Sequence, residues 1–227
     1  MNLSSLNECK VTRNSCFFSL YIDIIVIEKS DIVSQYFNND KNIKSEKRTI
    51  TFNFNNREYK MVSDNGVFSK DRFDYGTRVL LSNIDIDSLE GNVLDLGCGV
   101  GVVGVILGTI NTNINIDMVD VNERAISLAK ENIILNKVKA NIFISDVYDK
   151  VDKKYDYIIT NPPIRAGKEV VRRFLLGSFD YLTDKGVLYF VMRKDHGVKS
   201  MIKELESIFI VNIIDKDKGF YIVECKK

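Results

Sequence analysis

The sequence predicts an α/β fold in which a doubly wound, mostly parallel seven-stranded sheet ends in an antiparallel hairpin. Three observations carry this prediction. Strand-like and helix-like stretches alternate from Gly91 to the C-terminus, the pattern of βαβ units with right-handed crossovers. The early strand candidates are continuous apolar runs, as strands buried on both faces require. Between the last two candidates only Asp215-Lys-Asp-Lys-Gly219 remains. That is too short for a crossover helix, so the final pair has to turn back on itself.

The chain divides into three stretches, residues 1–35, 36–90 and 91–227. The first is an extension with three open readings: an accessory strand, a tail without structure, or the product of a start codon placed upstream of a true start near Val33. Its apolar run Cys16–Ile27 is interrupted by Asp23 and falls short of the roughly 20 apolar residues of a membrane span. Lys10 and Arg13 precede the run, but no small-residue cleavage site follows it, so a secretory leader is not expected. The second stretch opens with an Asn/Lys-rich segment. Two alternating runs follow, Thr49–Phe54 and Arg57–Val62, joined by Asn55-Asn56, which predicts a β-hairpin. Asp74-Tyr-Gly-Thr-Arg-Val-Leu-Leu81 then leads into a short helix.

In the third stretch the predicted strands are Asn92–Leu96, Asn115–Val119, Asn141–Ser145, Tyr155–Thr160, Gly186–Met192, Ile208–Ile214 and Phe220–Cys225. The clearest helix runs from Asn122 to Asn136, with Asn122 as N-cap, Glu123 in the first turn, and Ile126, Ala129 and Ile133 on one face.

A chain of 227 residues with 45% hydrophobic and 28% charged residues has the composition of one globular domain with a sizeable core. The formal charge is +1, so any polyanionic partner has to be met by a local patch rather than a global field. Cys9, Cys16, Cys98 and Cys225 are scattered without metal-ligand spacing. This predicts no metal and a reducing, cytoplasmic setting. The single histidine, His196, leaves little room for histidine-based catalysis.

Val93-Leu-Asp-Leu-Gly-Cys-Gly-Val-Gly-Val-Val-Gly104 reads as a strand, a glycine turn and a helix. Gly97, Gly99 and Gly101 allow a sharp turn and close approach of a ligand to the backbone, and the helix start offers N–H groups to it. Gly99-x-Gly101-x-x-Gly104 also satisfies the dinucleotide fingerprint literally, so a nicotinamide enzyme stays in view. Glycines serving only close helix–strand packing would leave the same pattern. Asp120 ends the next strand, about 20 residues beyond the turn, where a carboxylate can accept from ribose hydroxyls. The competing reading is a helix cap. Asp146 ends the third strand and is placed to accept from an adenine amino group, although its position alone does not decide this.

Asn161-Pro162-Pro163-Ile164 stands at the carboxyl end of the fourth strand, where ligands bind in open α/β sheets. The only two prolines of the chain are adjacent here. They fix φ and remove two N–H donors, leaving carbonyls and the Asn161 side chain as a rigid set of acceptors. Such a set suits an amino group attacking an electrophilic methyl, and hydride transfer has no need of it.

Asp95-Leu-Gly-Cys-Gly-Val-Gly101, Asp120, Asp146 and Asn161-Pro-Pro-Ile164 together resemble the class I S-adenosylmethionine methyltransferases that modify amino groups. More narrowly, Gly66-Val-Phe-Ser69, Asp74-x-Gly-Thr-Arg-x-Leu-Leu81 and Asn161-Pro-Pro-Ile-Arg-Ala-Gly-Lys168 resemble the small-domain methyltransferases of the RsmC type, which act on guanine N2 of small-subunit ribosomal RNA. The resemblance covers roughly Tyr36 to the C-terminus and implies a Rossmann-like methyltransferase sheet. It implies that Asp95, Gly97, Gly99, Gly101, Asp120 and Asn122 hold S-adenosylmethionine, that Asp146 and Val147 meet its adenine, and that Thr77 lies near its methionine end. It places the target amine at Asn161, Pro162 and Pro163. Two departures stand out. Ile164 occupies a position at which many relatives carry a stacking aromatic, which leaves Phe68 as the stacking candidate. The chain is also expected to lack the second, noncatalytic methyltransferase-like domain of larger relatives.

On this reading the acceptors at Asn161 and the Pro162 carbonyl favour the pyramidal nitrogen and stabilise its developing charge, and no strong base is needed. Arg165, Lys168, Arg172, Arg173, Arg193 and Lys194 are read as phosphate contacts, with a solvated surface as the alternative. The expected partner is ribosomal RNA or the small ribosomal subunit, without a membrane role, and a monomer is compatible with the sequence. The rival readings are adenine N6 or a protein glutamine amide as acceptor, and a non-catalytic RNA-binding or ribosome-assembly factor that kept the fold.

Overall fold

The fold is that of a computed structural model, which describes residues 44–227. The readings of residues 1–35 and of the segment up to residue 43 lie outside it. The predicted hairpin is present as β1 (Arg48–Phe54) and β2 (Arg57–Ser63), paired antiparallel from Arg48↔Ser63 to Phe54↔Arg57. Asn55 and Asn56 both adopt positive φ, 47° and 58°, the conformation demanded by a two-residue loop that follows the strand twist. Asparagine tolerates it better than most side chains. Alternate residues Ile50, Phe52, Phe54, Tyr59 and Met61 are buried, and Phe52 packs on both Tyr59 and Phe73. The hairpin forms its own two-stranded sheet and leads into α1 (Tyr75–Ser82), whose N-cap is Asp74.

The main sheet contains β3 (Asn92–Leu96), β4 (Asn115–Asp120), β5 (Asn141–Ile144), β6 (Tyr155–Thr160), β7 (Leu182–Arg193), β8 (Ile210–Asp217) and β9 (Phe220–Lys226) in the order β5-β4-β3-β6-β7-β9-β8. The first five are parallel, and β9 pairs antiparallel with both β7 and β8. This is the doubly wound sheet with a terminal hairpin that the sequence predicts. Its helices are α2 (Val102–Ile110), α3 (Glu123–Leu135), α4 (Lys168–Leu175), α5 (Ser178–Tyr181) and α6 (Val198–Leu205). The continuous apolar runs serve two cores at once. In β3 and β4, Val93, Ile116 and Met118 pack in one cluster with the hairpin and α1–α3, while Leu94, Leu96 and Val119 pack in another with α4–α6.

Several boundaries differ from the sequence reading, with β8 running on to Asp217 rather than Ile214. Pairing of β7 begins at Leu182 rather than Gly186, with Tyr155↔Leu182 followed directly by Tyr157↔Val187. The fully buried Leu182 pulls this segment onto β6, and the polar residues after it bulge. β8 starts at Ile210 because Ile208 and Phe209 still bond back to Leu205 at the end of α6. β5 stops at Ile144, one residue short of the expected Ser145. None of the helices among the described residues is long and apolar enough to cross a membrane.

Asn132, on the buried side of α3, is fully enclosed and binds three backbone groups. Its Oδ1 accepts from Val62 N at 2.6 Å, and its Nδ2 donates to Val62 O and Val100 O, both at 2.9 Å. It joins β2, α3 and the glycine loop at one point. Asn132→Leu keeps the volume but strands these groups, and each buried unsatisfied polar group costs about 1–3 kcal/mol. Urea unfolding is expected to show a loss of about 3 kcal/mol or more; an unchanged midpoint would rule out the clamp.

Candidate functional site

The strand order reverses between β3 and β6, and ligands of open α/β sheets sit outside the carboxyl ends of the strands at such a point. Two cavities open there. The larger, of about 690 Å³, is lined by Phe68, Arg72, Phe73, Asp74, Thr77, Asp95, Cys98, Gly99, Asn122 and Arg165, among others. The smaller is lined by Leu96, Val119, Ser145, Asp146, Val147, Pro163 and Phe174. Gly97, Asp120 and Asn161 belong to both walls and mark the junction.

The glycines have different jobs. Gly97 and Gly99 have φ of 72° and 54°, and a Cβ on Gly99 would meet nothing within 4 Å. Gly99 therefore gives the loop its backbone conformation and leaves open space beside it. A Cβ on Gly101 would come within 2.7 Å of Met118 Cε, and one on Gly104 within 2.5 Å of Met118 Sδ. These two allow α2 to press on β4, and Gly101 does not line either cavity. Two glycines of the literal dinucleotide fingerprint are thus packing residues.

Asp95 is 2% exposed and accepts from Gly104 N at 3.0 Å. Burial raises its pKa to about 7, opposed by that hydrogen bond and assisted by the charge of Asp120. Asp120 accepts from Gly99 N and Asn122 N, both at 2.9 Å. Burial raises its pKa as well, against the hydrogen bonds from Asn122, Gly99 and Val121. The helix-cap reading of Asp120 is answered by Asn122, which caps α3 by accepting from Arg124 N and Ala125 N. Cys98 also lines the cavity, where burial and the carboxylates of Asp95 and Asp120 push its thiol pKa well up.

Asp146 is engaged by Arg173, which reaches both carboxylate oxygens at 3.2 Å. Val147 follows with φ of 53° and is buried. In the Pro-Pro loop the Pro163 carbonyl accepts from Ala166 N at 3.0 Å, so the loop's free acceptors are fewer than the two prolines suggest. Asn161 Nδ2 donates to Asp74 Oδ2 and to Thr77 Oγ1, both at 3.0 Å. Ile164 is only partly buried, packs toward Phe174 and its neighbours, and does not line either cavity, whereas Phe68 does.

Of the basic residues read as phosphate contacts, only Arg165 lines the larger cavity. Lys168 and Arg172 both pair with Glu204, Arg173 pairs with Asp146 and Asp149, and Arg193 pairs with Asp195. Arg165, Lys194 and Arg72 have no ion pair among the described residues. Arg72 is exposed, lines the cavity and carried no signal in the sequence, because a lone arginine in a polar loop has none. The link from Asp74 to Asn161 was equally hidden, although the Asp74-x-Gly-Thr77 pattern was visible. Among the described residues no group of three or more His, Cys, Asp or Glu side chains could hold a metal ion.

Residues 58–224 match the family known as the methyltransferase small domain. The chain is 39% identical over 196 residues to the uncharacterized protein YbxB of Bacillus subtilis, covering 85% of this chain and 98% of that protein. It is 42% identical over 114 residues to ribosomal RNA small subunit methyltransferase C of Aliivibrio fischeri, covering 50% of this chain but only 33% of the relative. Among solved structures, the T. thermophilus 16S rRNA N2 G1207 methyltransferase RsmC, in complex with AdoMet and guanosine, aligns with a TM-score of 0.73. The alignment has 22% identity and covers 82% of this chain and 52% of that one. At that identity the likeness is one of fold.

Asp95 gives a pH test without any ligand. Its folded pKa of about 7 lies above its unfolded value of 3.8, so ionisation favours the unfolded chain. Stability is therefore expected to fall as pH rises from about 4 to 7, by at most about 4 kcal/mol at 1.36 kcal/mol per unit. Asp95→Asn should make the slope in urea titrations shallower, with a remainder from Asp120, whose pKa is also raised; an identical slope in the variant would refute the assignment.

Proposed function

We propose that this chain, which belongs to the methyltransferase small domain family, moves a methyl group from S-adenosylmethionine to an exocyclic amino nitrogen, guanine N2 of small-subunit ribosomal RNA. The observation that carries the reading is Asn161 at the junction of the two cavities, with its NH₂ group spent on Asp74 and Thr77. Its carbonyl oxygen is the end left for an incoming amine.

The cavity residues fit the cofactor. The buried Asp95 and the partly buried Asp120, both with raised pKa, beside an open glycine turn suit a ligand that brings positive charge and hydroxyl donors. Asp120 would accept from the ribose, Asp95 would face the methionine end with Thr77, and Asp146 and Val147 would border the adenine in the smaller cavity. Gly97, Gly99 and Asn122 complete the contact surface. S-adenosylmethionine supplies an electrophilic methyl group on a positively charged sulfur.

The protein's own part is positioning and charge stabilisation. An exocyclic guanine nitrogen is a weak nucleophile because its lone pair is delocalised into the ring. Acceptance of its N–H groups by Asn161 Oδ1 and the Pro162 carbonyl favours the pyramidal form and offsets the charge that develops on it. Phe68, 53% exposed on the cavity wall, offers a ring face for the base in place of Ile164. Arg165 and Lys194 would reach phosphates directly. Arg193 would exchange its carboxylate partner for phosphate at small cost, because exposed ion pairs are worth about 0–1 kcal/mol, whereas Lys168 and Arg172 would have to leave the half-buried Glu204.

Labelled methyl transfer to small-subunit RNA from a strain lacking the protein should yield N2-methylguanosine on nucleoside analysis. A different methylated nucleoside, or methyl groups found only on protein, would displace guanine N2 as the acceptor. Asn161→Ala should lower single-turnover transfer by about 10²-fold, the scale of one oriented polar contact, while cofactor affinity changes less than about threefold. Full activity in the variant would remove Asn161 from the reaction. Replacing Arg165 and Lys194 by Ala together should also flatten the salt dependence of RNA binding by about two counterions; an unaltered slope would assign phosphate contact elsewhere.

A further inference from the structure

We propose that Asp74 is a positioning residue that fixes the Asn161 amide with its carbonyl oxygen toward the acceptor nitrogen. This rests on the amino-methylating reading above and adds the device that orients its central group. The two ends of an asparagine amide have nearly the same shape, so only their partners decide which end faces the cavity. Asp74 Oδ2 accepts from Asn161 Nδ2 at 3.0 Å, from Thr77 N at 2.8 Å and from Thr77 Oγ1 at 3.1 Å. An ionised carboxylate can only accept. The Thr77 hydroxyl, having given its proton to Asp74, can only accept from Asn161, which it does at 3.0 Å.

Both partners therefore demand the nitrogen end of the amide. Flipping it would set Oδ1 against a carboxylate oxygen and a hydroxyl oxygen, and would turn the NH₂ group toward an amine that also donates. The arrangement joins residues 87 positions apart in the chain and accounts for the Asp74-x-Gly76-Thr77 spacing. Asp74 is the N-cap of α1, and Thr77 lies one turn into the helix. Gly76 permits the close seat, since a Cβ there would lie 2.9 Å from the Phe220 ring and 3.1 Å from Asp74 Oδ2. The carboxylate does more than orient. Accepting from the NH₂ group polarises the amide and increases the negative charge on its oxygen, the atom that meets the reacting nitrogen.

The test is a double-mutant cycle combined with a spectroscopic readout on the cofactor-free protein. Asp74→Ala is expected to lower kcat about 30-fold with KM for RNA and cofactor affinity within about threefold, on the scale of a lost charge-assisted hydrogen bond. Asp74→Asn can still accept from Asn161 and cap the helix, and should recover most of that loss. In an Asn161→Ala background, Asp74→Ala should change kcat less than about twofold, because the group it acts through is gone. Thr77→Val removes one of the two acceptors and leaves the Asp74 cap, so it gives an intermediate loss even if Asp74→Ala folds poorly.

Independently, the Asn161 side-chain NH₂ resonance, assigned by its disappearance in Asn161→Ala, should shift in Asp74→Ala and return in Asp74→Asn. Additive losses in the cycle, or an Asn161 resonance indifferent to position 74, would overturn the proposal. The resonance does not depend on the acceptor. If wild-type protein leaves ribosomal RNA unmethylated while the resonance responds as expected, the acceptor assignment fails and the orientation of Asn161 stands.

Discussion

The cavity depends on a polar clamp at the centre of an apolar core. The β1–β2 hairpin makes no backbone ladder with the main sheet, so its inner edge would bury unpaired groups against α3. Asn132 satisfies that edge with both ends of one amide and uses its remaining N–H to hold the glycine loop through Val100. Aromatic packing among Phe52, Tyr59 and Phe73 then closes the space between hairpin and α1. The segment after β2 gains a fixed seat, where Asp64 receives hydrogen bonds from Ser45, Glu46 and Asn65. Gly66, Val67, Phe68 and Arg72 can thus serve as a wall of the larger cavity opposite the sheet. Without the clamp the glycine loop would lack the opposite wall of the larger cavity.

Charge is graded across this cavity. Asp74, Asp95 and Asp120 line it, two of them with ionisation opposed by burial, while the exposed Arg72 and Arg165 stand on its wall near solvent. An acidic interior with a basic rim suits a cationic ligand inside and an anionic one arriving from outside. A formal net charge of +1 conceals this arrangement, because opposite charges are separated locally and cancel in the total. The outer arginines and lysines follow a different rule. Most are held by Glu204, Asp146, Asp149 or Asp195, which orders them without enclosing them.

Asn161 shows how one residue serves two levels of the structure. Its backbone ends the strand next to the point of sheet reversal, where Thr160 Oγ1 also bonds across to Leu96 O at 2.8 Å. Its side chain closes a contact with the start of α1, an element that precedes the sheet in sequence. The Pro-Pro loop and the start of α1 therefore border one cavity, and the sheet alone would leave the Asn161 amide without its two partners.

The sequence by itself determined what depends on local chemistry. Apolar runs and helical spacing define the βα alternation, and Asn55-Asn56 turns the hairpin through its tolerance of positive φ. The five residues before Phe220 exclude a crossover, and the glycine turn, Asp120 and Asn161-Pro-Pro163 fall at strand ends where a ligand can reach them. Tertiary structure alone decided which groups meet. Asp74 lies 87 residues from Asn161, and Asn132 lies 70 residues from Val62, so no periodicity links them. The packing roles of Gly101 and Gly104 and the shared Glu204 partner of Lys168 and Arg172 are likewise invisible in one dimension. The reason is physical: turn and strand preferences are set by each residue and its neighbours, whereas hydrogen-bond partners are set by which buried polar groups the completed fold brings within 3 Å of each other.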